Sequence, residues 1–399
     1  MHDREHVGNQ VVGTALIATE ELVGGEPIEE WYDIITDGFG TAQGRIHIMM
    51  QFFPIGALDE CNHFLADSYF HPKTDNSVRL YMTADTPQLP QFDGIMEPDG
   101  SPYVPNRCWI DIYNAISNAE KFVYITGWSV YTAISLIRGE DAVNYPDTNI
   151  GEVLKRKAEE GVRVCVMTWN EKSNDGGLLD GMMGTHDEET FNYFAGTDVV
   201  CTNVPRAKKS WMGLGGQFVG TMYTHHQKNV ICDAGCDDDP DRRRVVAFIG
   251  GIDLTDGRYD TPEFHLFKTL YTCHAGDFYQ NCTTGATADS GPREPWEDIH
   301  AFVSGPTAVD IHDNFADRWW QQNLSQRDSL YTLNDDEFAL DHPGDINDDM
   351  GGPWTMQLFR SITSDSAVMS QAGLKGFSVI TSIQKGGIWR VRFSIGLFA

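Results

Sequence analysis

Positive charge is scarce in this 399-residue sequence: 29 Lys and Arg stand against 58 Asp and Glu, a net charge of −29. That balance argues against binding nucleic acid, or a bare anionic membrane, through bulk electrostatics. It suits an acidic, solvated surface and a protein that recruits divalent cations. Long hydrophobic runs are missing too: there is no stretch of about 18 apolar residues to cross a bilayer. Met1-His2-Asp3-Arg4-Glu5 leads into no apolar segment of the kind a secretory leader needs. The expectation is a cytoplasmic protein that meets a membrane only at its periphery. Cysteine is present but unorganised. The eight residues (61, 108, 165, 201, 232, 236, 273 and 282) contain no C-x2-C pair. Cys232 and Cys236 have no His or Cys cluster nearby in sequence to complete a zinc site. All eight read as reduced structural thiols, Cys165 within the apolar run Val162–Met167 being the ordinary case. The sequons at Asn281 and Asn323 mean little without a secretion signal.

What stands out among the residues present is Thr224-His225-His226-Gln227-Lys228-Asn229-Val230-Ile231-Cys232-Asp233, which reads H-x-K-x4-D. His226 and Lys228 are two apart, so on extended backbone both side chains leave by one face. An imidazole beside a fixed ammonium is a sound pair for attacking a phosphodiester: one is the nucleophile, the other holds the phosphate charge. The run Asn229–Cys232 is short, apolar and β-prone. A second such run, Val245–Ile249, ends on the pair Gly250-Gly251. A lone H-x-K would deserve the bland reading of a chance strand pair; with Asp233 and the Gly-Gly strand in register, the functional reading is the stronger.

Three decoys are set aside. His71-Pro72-Lys73 repeats H-x-K, but Pro breaks the strand and Val78 stands where Asp should, so a loop is expected. Asp345–Asp349 begins like a calcium loop, yet Met350 replaces the required Gly and Met356 the bidentate Glu. Asp237–Asp241 reads as a solvated turn between strands.

Residues 1–55 read as β, with strands expected at Val11–Ile17, Trp31–Ile35 and Ile46–Phe53. From Cys108 the pattern alternates. Helices are expected at Trp109–Ala119, Ile150–Glu160 and Glu188–Phe194, and strands at Phe122–Thr126, Val162–Thr168 and Asp198–Val204. Such alternation gives an α/β layered sandwich. Gly94–Pro105 and Leu333–Gly352, rich in Pro, Gly and Asp, read as loops.

The H-x-K-x4-D segment resembles the first catalytic motif of the phospholipase D family, in its eukaryotic, plant-type branch. The likeness extends to Tyr124–Tyr131 (YITGWSVY), Glu160–Val164, Thr185–Thr190 (THDEET), Gly250–Asp260 (GGIDLTDGRYD) and Gly291–Trp296 (GPREPW), in the family's order. It covers about residues 5–384. The implied fold is the family's α-β-α layered sandwich, first half only, preceded by an incomplete antiparallel β-sandwich. Residues 1–55 resemble the last third of the calcium- and lipid-binding C-two sandwich, which needs about eight strands. The organisation implied is that remnant, a linker region at 56–105, the catalytic half at 106–332, a loop and the start of a second half at 333–384, and a tail at 385–399 unlike the family.

The resemblance implies phosphatidylcholine-type substrates at a membrane surface. His226 would attack phosphorus, Lys228 would clamp the phosphate, and Asp233 would support the motif, with Gly250 and Gly251 behind them. Asp298 matches the carboxylate that orients the other half's histidine, and the bland alternative is a surface Asp before a strand. Calcium is implied by a family ligand that His265 resembles, although one residue is extra before it, and Glu297 stands where the family has His. Family members use two H-x-K-x4-D motifs, the second His protonating the leaving oxygen and then activating water. Here there is one. Trp354–Ser361 (WTMQLFRS) and Ser382–Gln384 resemble the opening of the second half, where the likeness stops. The expectation is a phospholipase D clipped at both ends. The alternatives are an inactive isoform acting by binding or by pairing with a partner chain, and a homodimer completing its site in trans.

Overall fold

The computed structural model describes residues 2–5, 8–11, 17, 26–35, 42–50, 69–81, 106–171, 184–205, 224–236, 239–323, 325–341, 354–362 and 366–368. Two compact units meet at Leu65/Ala66. In the first, β1 (His2–Glu5) pairs with β2 (Gly8–Val11), and β3 (Ile28–Ile35) with β4 (Ala42–Met50), both antiparallel. The expected strand Trp31–Ile35 lies within β3, and β4 holds the first part of Ile46–Phe53. Val11 closes a strand rather than opening one; Ile17 is outside any strand, and 12–16 fall outside the described residues.

The second unit runs β5 (Lys73–Tyr81), α1 (Cys108–Asn118), β6 (Phe122–Gly127), α2 (Ile150–Glu159), β7 (Arg163–Trp169), α3 (Asp187–Phe194) and β8 (Val200–Val204). It continues through β9 (Asn229–Gly235), β10 (Arg243–Gly250), β11 (His300–Ser304), α4 (Pro306–Gln322) and β12 (Trp354–Met356). One eight-stranded sheet results, in the order β12-β5-β11-β10-β9-β6-β7-β8. Strands β6, β7 and β8 are parallel; the other pairings are antiparallel.

Local chemistry explains the ends of the helices. Asn149 caps α2, its side chain accepting from Glu152 N at 3.0 Å, and Arg156 and Lys157 complement the helix dipole in the last turn. Pro306 opens α4 where its missing N–H costs nothing. Gly305, at φ 111°, lets that turn approach β5, since a Cβ there would lie 2.8 Å from the Asp75 carbonyl.

Alternation along the strands sorts the core into two layers. Val123, Ile125, Val164, Val166, Val230 and Cys232 pack against Trp109, Ile112 and Ile116 of α1 and Val153 and Leu154 of α2. Phe122, Tyr124, Cys165, Met167, Ile231 and Ala247 pack against Ile311, Phe315 and Trp319 of α4. The fold is the α-β-α sandwich expected, with every residue of β6 buried, as a strand covered on both faces requires.

Two expectations need correction. Residues 56–105 are not all linker: β5 lies inside the sheet, paired with β11 and β12. Its sequence, KTDNSVRLY, is too polar to announce a strand; Asn76 secures it by accepting from Thr307 N at 2.8 Å. Lys73 of the H-P-K decoy is the first residue of that strand, not loop. The loop expected from Leu333 is loop in its described part, with Phe338 fully buried within it and bridged to Arg243. Asp345–Asp349 and the tail from 385 fall outside the described residues, whereas Asp239–Asp241 is a turn between β9 and β10. Among the described residues no helix is long and apolar enough to cross a membrane.

Candidate active site

The cross-strand pairs Thr126–Asn229, Ile249–Asn229 and Gly250–His300 bring the end of β6, the start of β9, the end of β10 and the start of β11 together at one end of the sheet. His226 and Lys228 stand there, just before β9 rather than within it. Their neighbours show the alternation. Gln227 Oε1 turns toward α4, accepting from Arg318 at 2.9 Å and Asn314 at 3.3 Å, and His225 meets Gln322 of α4 at 3.2 Å. His226 and Lys228 therefore leave by the opposite face.

Lys228 is buried and fixed. Its Nζ lies 3.0 Å from Asp253 Oδ2 and donates to the His226 carbonyl at 3.1 Å. Asp253 Oδ1 in turn accepts from Trp128 N at 2.9 Å and Ser129 N at 3.3 Å, so the end of β6 holds the carboxylate that holds the lysine. His226 is exposed, and its imidazole has no hydrogen-bond partner among the described residues. Burial of its inner side and the charges of Lys228 and Arg258 hold its pKa below the usual histidine value, against the opposing pull of Asp253 and Asp298.

The Gly pair makes room. A Cβ at Gly250 would lie 2.6 Å from His300 Cα, and one at Gly251 would overlap the Asp298 carboxylate. Asp298 Oδ2 accepts from Trp296 Nε1 at 2.6 Å, which aims it at the site. Beneath it His300 is pushed down to about 3 by burial and by Lys228, and its Nδ1 accepts from Ile252 N at 3.3 Å.

Asp233 is placed differently from the other predicted site residues. It lies four residues into β9, toward the far end of the strand, about 20 Å from His226 at the rise of an extended chain. Its carboxylate accepts from the backbone N–H of Glu120, Lys121 and Phe122 at 2.8–3.2 Å and from Arg243 Nε at 2.7 Å. It fixes the start of β6 and does not reach the reacting groups. The calcium assignment finds no cage. Among the described residues no group of three or more His, Cys, Asp or Glu could hold a metal ion, whereas calcium takes about six to eight oxygens. Glu297 is exposed, and His265 is held through its carbonyl, which accepts from Arg293 Nε at 2.8 Å. These two side chains do not fit the oxygen cage that calcium requires. Asp253, Arg258 and Trp128 were missed as individual site residues: two lie in GGIDLTDGRYD and one in YITGWSVY, but no spacing rule singles them out.

An α-β-α sandwich with a His-x-Lys pair at the end of its central sheet is a frame suited to phosphodiester chemistry. The sequence matches the family model described as Phospholipase D over residues 115–394, and the chain belongs to the phospholipase D family. It is 40% identical over 388 residues to phospholipase D alpha 1 of Ricinus communis, covering 92% of this chain and 47% of that protein. Against phospholipase D alpha 1 of Zea mays it is 40% identical over 385 residues, covering 90% of this chain and 46% of the relative. The chain thus spans about half the length of the curated relatives it matches. Among solved structures it is similar to the phospholipase D family member Nuc from Salmonella typhimurium, at 13% identity and a TM-score of 0.29 over 62% of this chain and 97% of that one, too slight to bear on the fold.

Proposed function

We propose that this chain supplies the nucleophile side of a phospholipase D site acting on glycerophospholipids such as phosphatidylcholine at a membrane surface. Neutral His226 attacks phosphorus; the bond from phosphorus to the head-group oxygen breaks, and that oxygen leaves as the alcohol once it takes a proton. Water then attacks phosphorus and the phosphorus–nitrogen bond breaks, releasing phosphatidic acid and restoring the imidazole. Lys228 holds the phosphoryl oxygens as charge builds on them. The observation that carries this reading is the shared face of His226 and Lys228 beside Asp253, which locks the ammonium next to an imidazole kept neutral. The sequence contains one H-x-K-x4-D, so the proton donor for the leaving oxygen is a group outside this motif.

The test is covalent. A radiolabelled p-nitrophenyl phosphodiester should leave an acid-labile label on the wild-type chain and none on His226→Ala. A label that survives His226→Ala would put the nucleophile elsewhere, and no label on the wild type would favour the inactive, partner-binding alternative; either overturns the reading.

A further inference from the structure

Of the four arginines buried in the second unit, Arg138, Arg258 and Arg293 are stacked on aromatic rings or paired with carboxylates, and one of these three breaks the usual pattern. Arg138 lies over Trp109 and Tyr259 and is paired with Asp277 at 2.9 Å. Arg293 is paired with Asp260. Arg258 is as buried, at 3% exposure, and lies in a cage of Trp296 (3.9 Å), Tyr279 (4.4 Å) and Trp128 (5.6 Å). Yet it meets no carboxylate at salt-bridge distance among the described residues. Its NH1 donates to the Asp256 carbonyl at 3.0 Å, and its Nε has no hydrogen-bond partner among them.

A guanidinium taken out of water without a counter-ion is costly, and aromatic faces offset only part of that cost. Such a group calls for an anion. Its surroundings say where the anion sits. Trp128 stands between Arg258 and His226, its ring 6.4 Å from the imidazole. On the other side Trp296 stacks on Arg258 and bonds Asp298, whose charge is felt at His226. Arg258, Trp128, His226, Asp298 and Trp296 are thus linked by ring contacts, a hydrogen bond and the charges felt at His226. The charge balance of the site needs a second cation: Asp253 cancels Lys228, and Asp298 then leaves the site negative and hostile to a phosphodiester. Gly257 fixes the approach, since at φ 71° it packs so close to Tyr279 that any Cβ would collide.

We propose that Arg258 is a second phosphate-binding cation of this site, its guanidinium fork receiving the non-bridging oxygens of the diester while Lys228 holds them from the strand side. This rests on the proposed phosphodiester reading and names a further residue for it. The aromatic cage holds the guanidinium in place without a carboxylate, leaving its charge for the substrate.

Binding of dimethyl phosphate, an unreactive diester, tests this on the full chain. The expected result is at least tenfold weaker binding by Arg258→Gln. Arg258→Lys should recover part of it, keeping the charge but losing the fork. Wild-type affinity in both Arg258→Gln and Arg258→Lys would overturn the proposal. If the variants fail to fold, the Arg258 guanidinium N–H resonances of the wild type decide. They should shift on titration with dimethyl phosphate, and their standing still at saturation would overturn it equally. The two readings fall separately. Label on His226 with binding indifferent to Arg258 removes only this inference. Binding that depends on Arg258 with no label on His226 removes only the nucleophile.

Discussion

At the scale of the residue, the site turns on the protonation of one imidazole. An attacking His226 must be neutral, and burial, Lys228 and Arg258 all disfavour its cation. Its labelling by an activated diester should therefore stay flat as pH falls below the usual histidine range near 6.5, declining only once the depressed pKa is reached. Lys228→Met removes one downward cause and leaves Asp253 uncompensated, an upward one. The inflection should then move to higher pH, alongside a loss of roughly a hundredfold or more in the labelling rate as the clamp goes. Titration of the His226 ring protons by NMR in both proteins checks the sign. An inflection that stays put, or moves down, would show that Lys228 does not act on His226.

At the scale of the element, the H-x-K-x4-D signature divides into two jobs at two ends of β9. His226 and Lys228 serve the site, while Asp233 gathers three backbone N–H groups before β6 together with Arg243. Breaking a buried charged group out of such a network costs about 3–5 kcal/mol. Asp233→Ala should lose stability of that order in urea unfolding, with labelling of His226 in the fraction still folded kept within a few-fold of wild type. Gly251→Ala should do the reverse. Its Cβ meets the Asp298 side chain first, so the cost is about 1–3 kcal/mol while Asp298 is displaced from the site. A crystal structure of the variant with Asp298 unmoved would refute that account.

The sequence was legible wherever chemistry and periodicity coincide. Ile150–Glu160, with its Asn cap, and the apolar runs of β6, β7 and β10 could be read within a residue or two, and β9 to within three at its end, because strands covered on both faces must be apolar. β5 could not, because its hold on the sheet is polar: Asn76 reaches Thr307 across more than two hundred positions, and no local pattern records that. The same applies to the site. His226 and Lys228 are announced by their spacing, whereas Asp253 and Arg258 acquire roles only when β6, β10 and the segment from Tyr279 to Asp298 come together.

At the scale of the whole molecule, the question is what one nucleophile can do without a second H-x-K-x4-D motif beside it. Attack by His226 forms the phosphorus–nitrogen bond whether or not a proton donor waits, provided the leaving oxygen departs readily. A p-nitrophenolate does so unaided; the alkoxide of choline does not, and a missing general acid costs on the order of a hundred- to ten-thousand-fold. The second step suffers likewise, because water attacking the phosphohistidine lacks its base. Mixing the 399-residue chain with a p-nitrophenyl phosphodiester should then release a burst approaching one equivalent of p-nitrophenol per chain, followed by a much slower steady rate. Phosphatidylcholine should show neither phase at measurable speed at low chain concentration. If two copies complete each other, the slow phase should accelerate with protein concentration, and adding His226→Ala should depress it by drawing wild-type chains into pairs with a single imidazole. If another chain is the partner, concentration and the variant should both leave it unchanged. Full phosphatidylcholine turnover by dilute monomer, with no burst, would mean that a general acid already stands within this chain.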